Sequence, residues 1–229
     1  MATAANTAAW QAHAEQRLAA GPPEPLTPPP RMQWTQHPGA GPGAEILGDL
    51  AGRRVVELGC GPAHNLAHLV SHHDAIGVGV DAAPAQIERA RAHYGHLARL
   101  PFVTADATAF LTATGFTFDV CYCVFGALGL TPPDPLLAAI GQRLRPGGRL
   151  AFSVQHRTGR SLDQSHQPVL DTLALPYGQH MPITRWTPGV SAWVDLLDRH
   201  GFAVDGLNTP APDNTSAGSN CLVITAHHT

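Results

Sequence analysis

Lysine is absent from this chain. All 14 of its basic residues are arginine, set against 17 acids, and charged residues make up only 14% of the 229. With a formal net charge of −3 and no basic stripe, the chain offers nucleic acid no electrostatic footprint. No apolar run reaches the roughly 18 residues that a membrane span requires. The start, MATAANTAAW, has neither the basic head nor the long apolar block of a secretory signal. A cytoplasmic protein with no membrane partner is expected. Cysteine is scarce too: Cys60, Cys121, Cys123 and Cys221 fall in or beside apolar runs, which suits buried free thiols in a reducing compartment. Cys121 and Cys123 stand two apart on one strand, which is not a zinc spacing, and no metal is expected. Apolar residues, by contrast, make up 44%, enough for one sizeable core in one domain with, at most, a small attachment.

The stretch from Val55 to Asn65, VVELGCGPAHN, organises the rest. It reads as a buried strand ending in Glu57, a turn carrying Gly59 and Gly61, and the start of a helix. A glycine turn lets a ligand lie close against the backbone. A second apolar run, AIGVGVD, ends in Asp81. A glycine turn after one strand and an acid at the tip of the next is how doubly wound folds hold a nucleoside. A pyrophosphate-binding turn would need a third glycine; Pro62-Ala63-His64 stand there instead.

Around this centre, residues 3–20 predict an Ala-rich helix, and GPPEPLTPPP (21–30) a proline-stiffened connector. A loop containing Trp34 and a short helix over 43–51 follow. Further helices are expected at Ala63–His72, Ala85–Tyr94 and 133–145, and a strand in PFVTADATAF ending near Asp106. The strand from Phe118 to Phe125 should be buried on both faces, as a central parallel strand is. In LRPGGRLAFSV a helix should stop at Pro146 and the next strand begin after two glycines. Residues 155–189 are long, polar and proline-punctuated, a length usually given to a functional lid or insertion. A helix at Val190–Arg199, a strand at Phe202–Leu207 and a last strand in CLVITAHH close the chain.

The E-x-G-x-G turn, the two acids and the LRPGG run match in order and spacing, from about residue 43 to 154, and together the chain resembles class I S-adenosylmethionine (SAM)-dependent methyltransferases of the bacterial small-molecule type. The resemblance implies an α/β fold: a Rossmann-like doubly wound, seven-stranded, mostly parallel sheet with its last strand antiparallel. It implies an N-terminal arm (1–42), a methyltransferase domain (43–229), and a substrate-facing insertion at 155–189. It implies SAM as cofactor, S-adenosylhomocysteine as product, and a small-molecule acceptor, with natural product biosynthesis a suggested setting. Carried over residue by residue, the cofactor would meet Glu57, Gly59, Cys60, Gly61 and Asn65 in and after the turn. Asp81 and Ala82 would meet it at the ribose, Asp106 and Ala107 at the adenine, and Phe125 and Gly126 at the end of the fourth strand. Trp34 would close over it from the arm. Plainer roles stand beside these: Trp34 packing the arm onto the body, and Asp81 and Asp106 capping the segments that follow them.

Transfer to a hydroxyl needs a base, and imidazole titrates in the right range. His156, two residues past the fifth strand, is the best placed; His166, Tyr177 and His180 in the insertion are further candidates, and a polar wall with no proton transfer is the alternative. The tetrapeptide with which nucleic-acid amine methyltransferases grip a base is missing after the fourth strand. Oxygen or nitrogen of a small molecule, less readily carbon, is therefore the expected acceptor, in a monomer or homodimer. Two rival readings are a nicotinamide-dependent oxidoreductase, disfavoured by the missing glycine, and a non-catalytic SAM-binding regulatory or scaffold protein.

Overall fold

A computed structural model describes residues 2–21, 24–156, 167–210 and 221–229. The chain opens with α1 (Ala2–Ala19), then alternates β1 (Arg54–Leu58), α2 (His64–His72), β2 (Ile76–Asp81), α3 (Pro84–Tyr94), β3 (Phe102–Thr104), α4 (Ala107–Ala113), β4 (Phe118–Val124), α5 (Pro133–Arg143) and β5 (Leu144–Gln155). A hairpin of β6 (Val169–Ala174) and β7 (His180–Arg185) follows, then α6 (Val190–Arg199), β8 (Phe202–Asn208) and β9 (Cys221–His228). Seven strands form one sheet in the order β3-β2-β1-β4-β5-β9-β8. β1 to β5 are parallel, and β9 runs antiparallel to both β5 and β8. The α/β doubly wound sheet with an antiparallel last strand is thus as the sequence predicts.

The strand order reverses between β1 and β4, and in open α/β sheets the crevice outside the strand ends at such a point takes ligands. The central strands hold it rigidly because they are apolar on both faces. Val56, Cys121 and Cys123 pack into one core with Phe152 and Trp193. Val55, Val120 and Tyr122 pack into the other with Trp34, Leu47 and Leu66.

Four expectations need correction. Residues 44–47 make one 3₁₀ turn rather than a helix over 43–51. β3 stops at Thr104 rather than near Asp106, and Asp106 caps α4: its Oδ1 accepts from Ala109 N–H at 3.0 Å. α5 ends at Arg143, before Pro146, because Leu144 already pairs with Phe118. Arg145–Gly148 then bulge, and pairing resumes at Val120↔Arg149. The insertion is not loop throughout: Leu173, Leu175 and Ile183 alternate onto a small core with Ala9 and Trp10 of α1, which is why β6 and β7 pair.

The N-terminal helix is tied down by polar contacts. Buried Asn6 donates to the carbonyls of Leu130 and Thr184, both at 2.7 Å, and accepts from Thr184 N–H at 2.7 Å. Gln11 accepts from Ala85 N–H at 2.9 Å. Among the described residues no helix is long and apolar enough to cross a membrane.

Candidate active site

A cavity of about 800 Å³ lies along the carboxyl ends of β1, β2 and β4 and the segment after β3, with α1 as a further wall. That is in the upper part of the range for ligand sites, ~300–1,000 Å³. The two glycines of the turn do different things. Gly59 has φ +72°, and a Cβ there would come within 2.9 Å of Gly126 Cα and Ala127 N. It lets the turn pack against the end of β4. Gly61, at φ +52°, has nothing nearer than 4.0 Å and opens onto the cavity. Phe125, just past β4, is also left-handed at φ 50°, which is uncommon for a bulky residue and concentrates at functional sites.

Asp81 is locked at the tip of β2. Its Oδ2 accepts from Gly61 N–H and its Oδ1 from Ala83 N–H, both at 2.9 Å. A carboxylate oxygen has two lone pairs, so each retains one for a ligand. Burial raises the Asp81 pKa, and the two amides oppose the rise. Glu57 is 4% exposed. Burial drives its pKa up, the Tyr122 hydroxyl takes back part of the rise and the charge of Asp81 adds to it, leaving it at about 8. Glu57 is therefore mostly neutral at pH 7. Among the described residues, its Oε2 and the Tyr122 hydroxyl are buried without a partner in good hydrogen-bonding geometry.

Glu57, Gly59, Cys60, Gly61, Asn65, Asp81, Ala82, Asp106, Ala107, Phe125 and Gly126 all border this cavity. Burial pushes the Cys60 thiol well above its ordinary pKa, so it stays protonated and unreactive. Asn65 clamps the arm: its Nδ2 donates to Gln33 O and its Oδ1 accepts from Gln33 N–H, both at 2.9 Å. Trp34 does not border the cavity. It is fully buried, its Nε1 donates to Gly43 O at 2.9 Å, and its ring meets Tyr122 edge-on with centroids 6.0 Å apart. The assignment of Trp34 to cofactor binding gives way to the plainer one: it packs the arm onto the sheet.

The candidate bases are scattered. His156 is 9% exposed and borders a second cavity of about 330 Å³, together with Gln155, Asp171, Thr172 and Arg185. Thr35 and Phe125 border both cavities. His180, at the start of β7, is exposed and borders neither, as is Tyr177, whose hydroxyl donates to Gln16 O at 3.3 Å. His166 lies outside the described residues. Among the described residues, no group of three or more His, Cys, Asp or Glu is arranged to hold a metal ion.

The sequence reading missed the residues α1 brings to the cavity: Asn6, Trp10, His13 and Arg17. Their spacing of four, three and four in an otherwise Ala-rich helix was the available signal, since such residues share a face. It also missed His64, whose Nδ1 lies 2.7 Å from the Tyr94 hydroxyl. Burial, then the charges of His93 and Arg89, lowers its pKa to about 4.

Residues 55–148 match the family described as "Methyltransferase domain". The chain is 30% identical over 125 residues to an O-methyltransferase, cnsE, of Penicillium expansum, covering 48% of this chain and 45% of that protein. It is 35% identical over 117 residues to a trans-aconitate 2-methyltransferase of Methylobacterium radiotolerans, covering 49% and 43%. The chain spans about half the length of the curated relatives it matches. Among solved structures, SAM-bound CalS10, an amino pentose methyltransferase from Micromonospora echinaspora, superposes with a TM-score of 0.57 at 18% identity, over 81% of this chain and 86% of that one. Over residues 55–148, then, the chain matches a methyltransferase domain, and its sheet has the fold of a SAM-bound methyltransferase.

Proposed function

We propose that the protein transfers a methyl group from SAM to an oxygen or nitrogen of a small molecule, releasing S-adenosylhomocysteine. The observation that carries this reading is Asp81: a half-buried carboxylate at the tip of β2, held by the amides of Gly61 and Ala83, with lone pairs left over beside an open cavity. Such a group suits two ribose hydroxyls. The surroundings fit the rest of the nucleoside. Gly61 leaves room where a side chain would intrude, and the Ala107 amide and the second oxygen of Asp106 offer a donor and an acceptor for adenine. Relatives bearing methyltransferase names support the same reading.

SAM supplies an electrophilic methyl group on a sulfonium. The chain's own part is alignment, exclusion of water, and proton removal where the acceptor is a hydroxyl. α1 walls one side of the cavity with Asn6, Trp10 and His13. Glu57, mostly neutral when the site is empty, gains reason to ionise once a cation lies near it. In this reading the described part of the insertion supplies the acceptor wall, through Asp171, Thr172 and Arg185. His156 is the base for a hydroxyl acceptor, reached past the shared wall of Phe125 and Thr35. An amine that arrives neutral needs no base.

Calorimetry with SAM, S-adenosylhomocysteine and NAD tests the cofactor, and transfer of labelled methyl to a panel of small hydroxyl, amine and carboxylate compounds tests the activity. Asp81→Ala should lower affinity for S-adenosylhomocysteine by ~1.5–3 kcal/mol, the cost of lost charge-assisted hydrogen bonds. His156→Ala should lower kcat for a hydroxyl acceptor more than it raises KM. Binding of NAD in place of SAM would refute the reading. Tight SAM binding with no transfer to any acceptor would favour a scaffold role.

A further inference from the structure

The charges around the large cavity come from two sources. Of its acids, Glu57 and Asp81 belong to strand ends and Asp106 caps α4, whereas its cationic and donor groups, Trp10, His13, Arg17 and Arg89, belong to α1 and α3. Among the described residues no acid pairs with either arginine: Arg89 donates only to Gln86 Oε1, at 2.9 Å, and Arg17 makes no side-chain bond. Among the described residues Trp10 Nε1 and His13 Nδ1 are buried without a partner, their rings meeting edge-on at 5.4 Å. The three basic groups are close enough to disfavour one another's charge. After burial, the Arg17 and Arg89 charges lower the His13 pKa, and Arg17 lowers that of Arg89. Buried donors and like charges gathered without a counter-charge are costly to a fold, and a bound anion relieves both penalties at once.

We propose that Trp10, His13, Arg17 and Arg89 form an anion subsite that takes a carboxylate of a ligand bound in the large cavity. The planar fork of a guanidinium matches a carboxylate, and neutral indole and imidazole N–H groups add donors without repulsion. The subsite rests on the methyltransferase reading, in which two ligands share this space. The carboxylate belongs either to the amino-acid end of the cofactor or to the methyl acceptor.

The full chain is tested as wild type, as Arg17→Gln with Arg89→Gln, and as Arg17→Lys with Arg89→Lys. Calorimetry uses S-adenosylhomocysteine, 5′-methylthioadenosine (a nucleoside thioether with no amino-acid end), and malonate and citrate titrated into the S-adenosylhomocysteine-loaded protein. If the cofactor's carboxylate binds here, the Gln pair loses at least about tenfold affinity for S-adenosylhomocysteine and none for methylthioadenosine. If the acceptor's does, S-adenosylhomocysteine affinity holds while that for malonate or citrate falls at least about tenfold. In either case the Lys pair, which keeps the charge but not the bidentate fork, loses less affinity than the Gln pair. Unchanged affinity for every probe in the Gln pair overturns the subsite, as does an equal loss for S-adenosylhomocysteine and methylthioadenosine. Wild-type protein that fails to bind S-adenosylhomocysteine overturns the cofactor reading, and the subsite with it.

Discussion

Glu57→Gln should make the protein more stable, and increasingly so as pH rises. The carboxyl is buried beside Tyr122 and Asp81, and its pKa stands at about 8 against 4.5 for a free glutamate. Between those values the folded protein holds a proton that the unfolded chain has released, so stability falls as pH rises, by about 1.4 kcal/mol per pH unit. Below pH 4.5 both states are protonated and nothing is lost. By pH 6 the cumulative loss is about 2 kcal/mol and by pH 8 about 4 kcal/mol, after which it levels off. Glutamine keeps the shape and the neutrality of the protonated acid but cannot ionise. Urea denaturation of both proteins at pH 5, 6, 7 and 8 isolates the effect, because every other titrating group is common to them. The stability difference should climb in favour of the glutamine variant across that series. A flat difference, or a variant less stable at pH 8 than wild type, would refute the assignment of a neutral buried acid at the end of β1.

Four other substitutions follow from the geometry. Gly59→Ala forces a methyl group within 2.9 Å of the Gly126 and Ala127 backbone at positive φ and should cost at least ~2 kcal/mol of stability. Gly61→Ala should cost only ~1–2 kcal/mol while lowering S-adenosylhomocysteine affinity; equal melting temperatures for the two variants would contradict the division of roles. Asp119 joins the amino ends of β1, β4 and β5, accepting from Arg54 N–H at 2.8 Å and pairing with Arg145 and Arg53 at 2.7 and 3.4 Å. Burial raises its pKa, but the Arg54 amide and then the two guanidiniums outweigh this and hold it below the usual value. Its contribution is present above about pH 4 and lost as pH falls through the depressed value. Asp119→Ala should cost ~1–2 kcal/mol at pH 7, with the gap narrowing in acid; a pH-independent gap would argue against the ion pairs. Trp34→Phe should lower stability by ~1 kcal/mol through the lost bond to Gly43 O and leave S-adenosylhomocysteine affinity unchanged; a tenfold weaker affinity would return Trp34 to the site.

Much of this was legible in the chain because local chemistry dictates it. The parallel sheet follows from short apolar runs that can only be satisfied by burial on both faces, such as FDVCYCV, separated by helical periods. The cavity's floor follows from residues adjacent in sequence: the glycine turn after β1 and the acid ending β2 occupy fixed places on any sheet wound this way. What tertiary structure alone decided involves partners far apart in the chain. Which glycine serves packing and which serves the cavity depends on where the end of β4 comes to lie, some 65 residues further on. Trp34 went to the core rather than the site because Gly43 O and Tyr122 were there to receive it. The cavity's outer wall required Asn6 to reach Leu130 and Thr184, a docking that no helical period announces. Periodicity tells a helix which face to bury; only the assembled fold tells it against what.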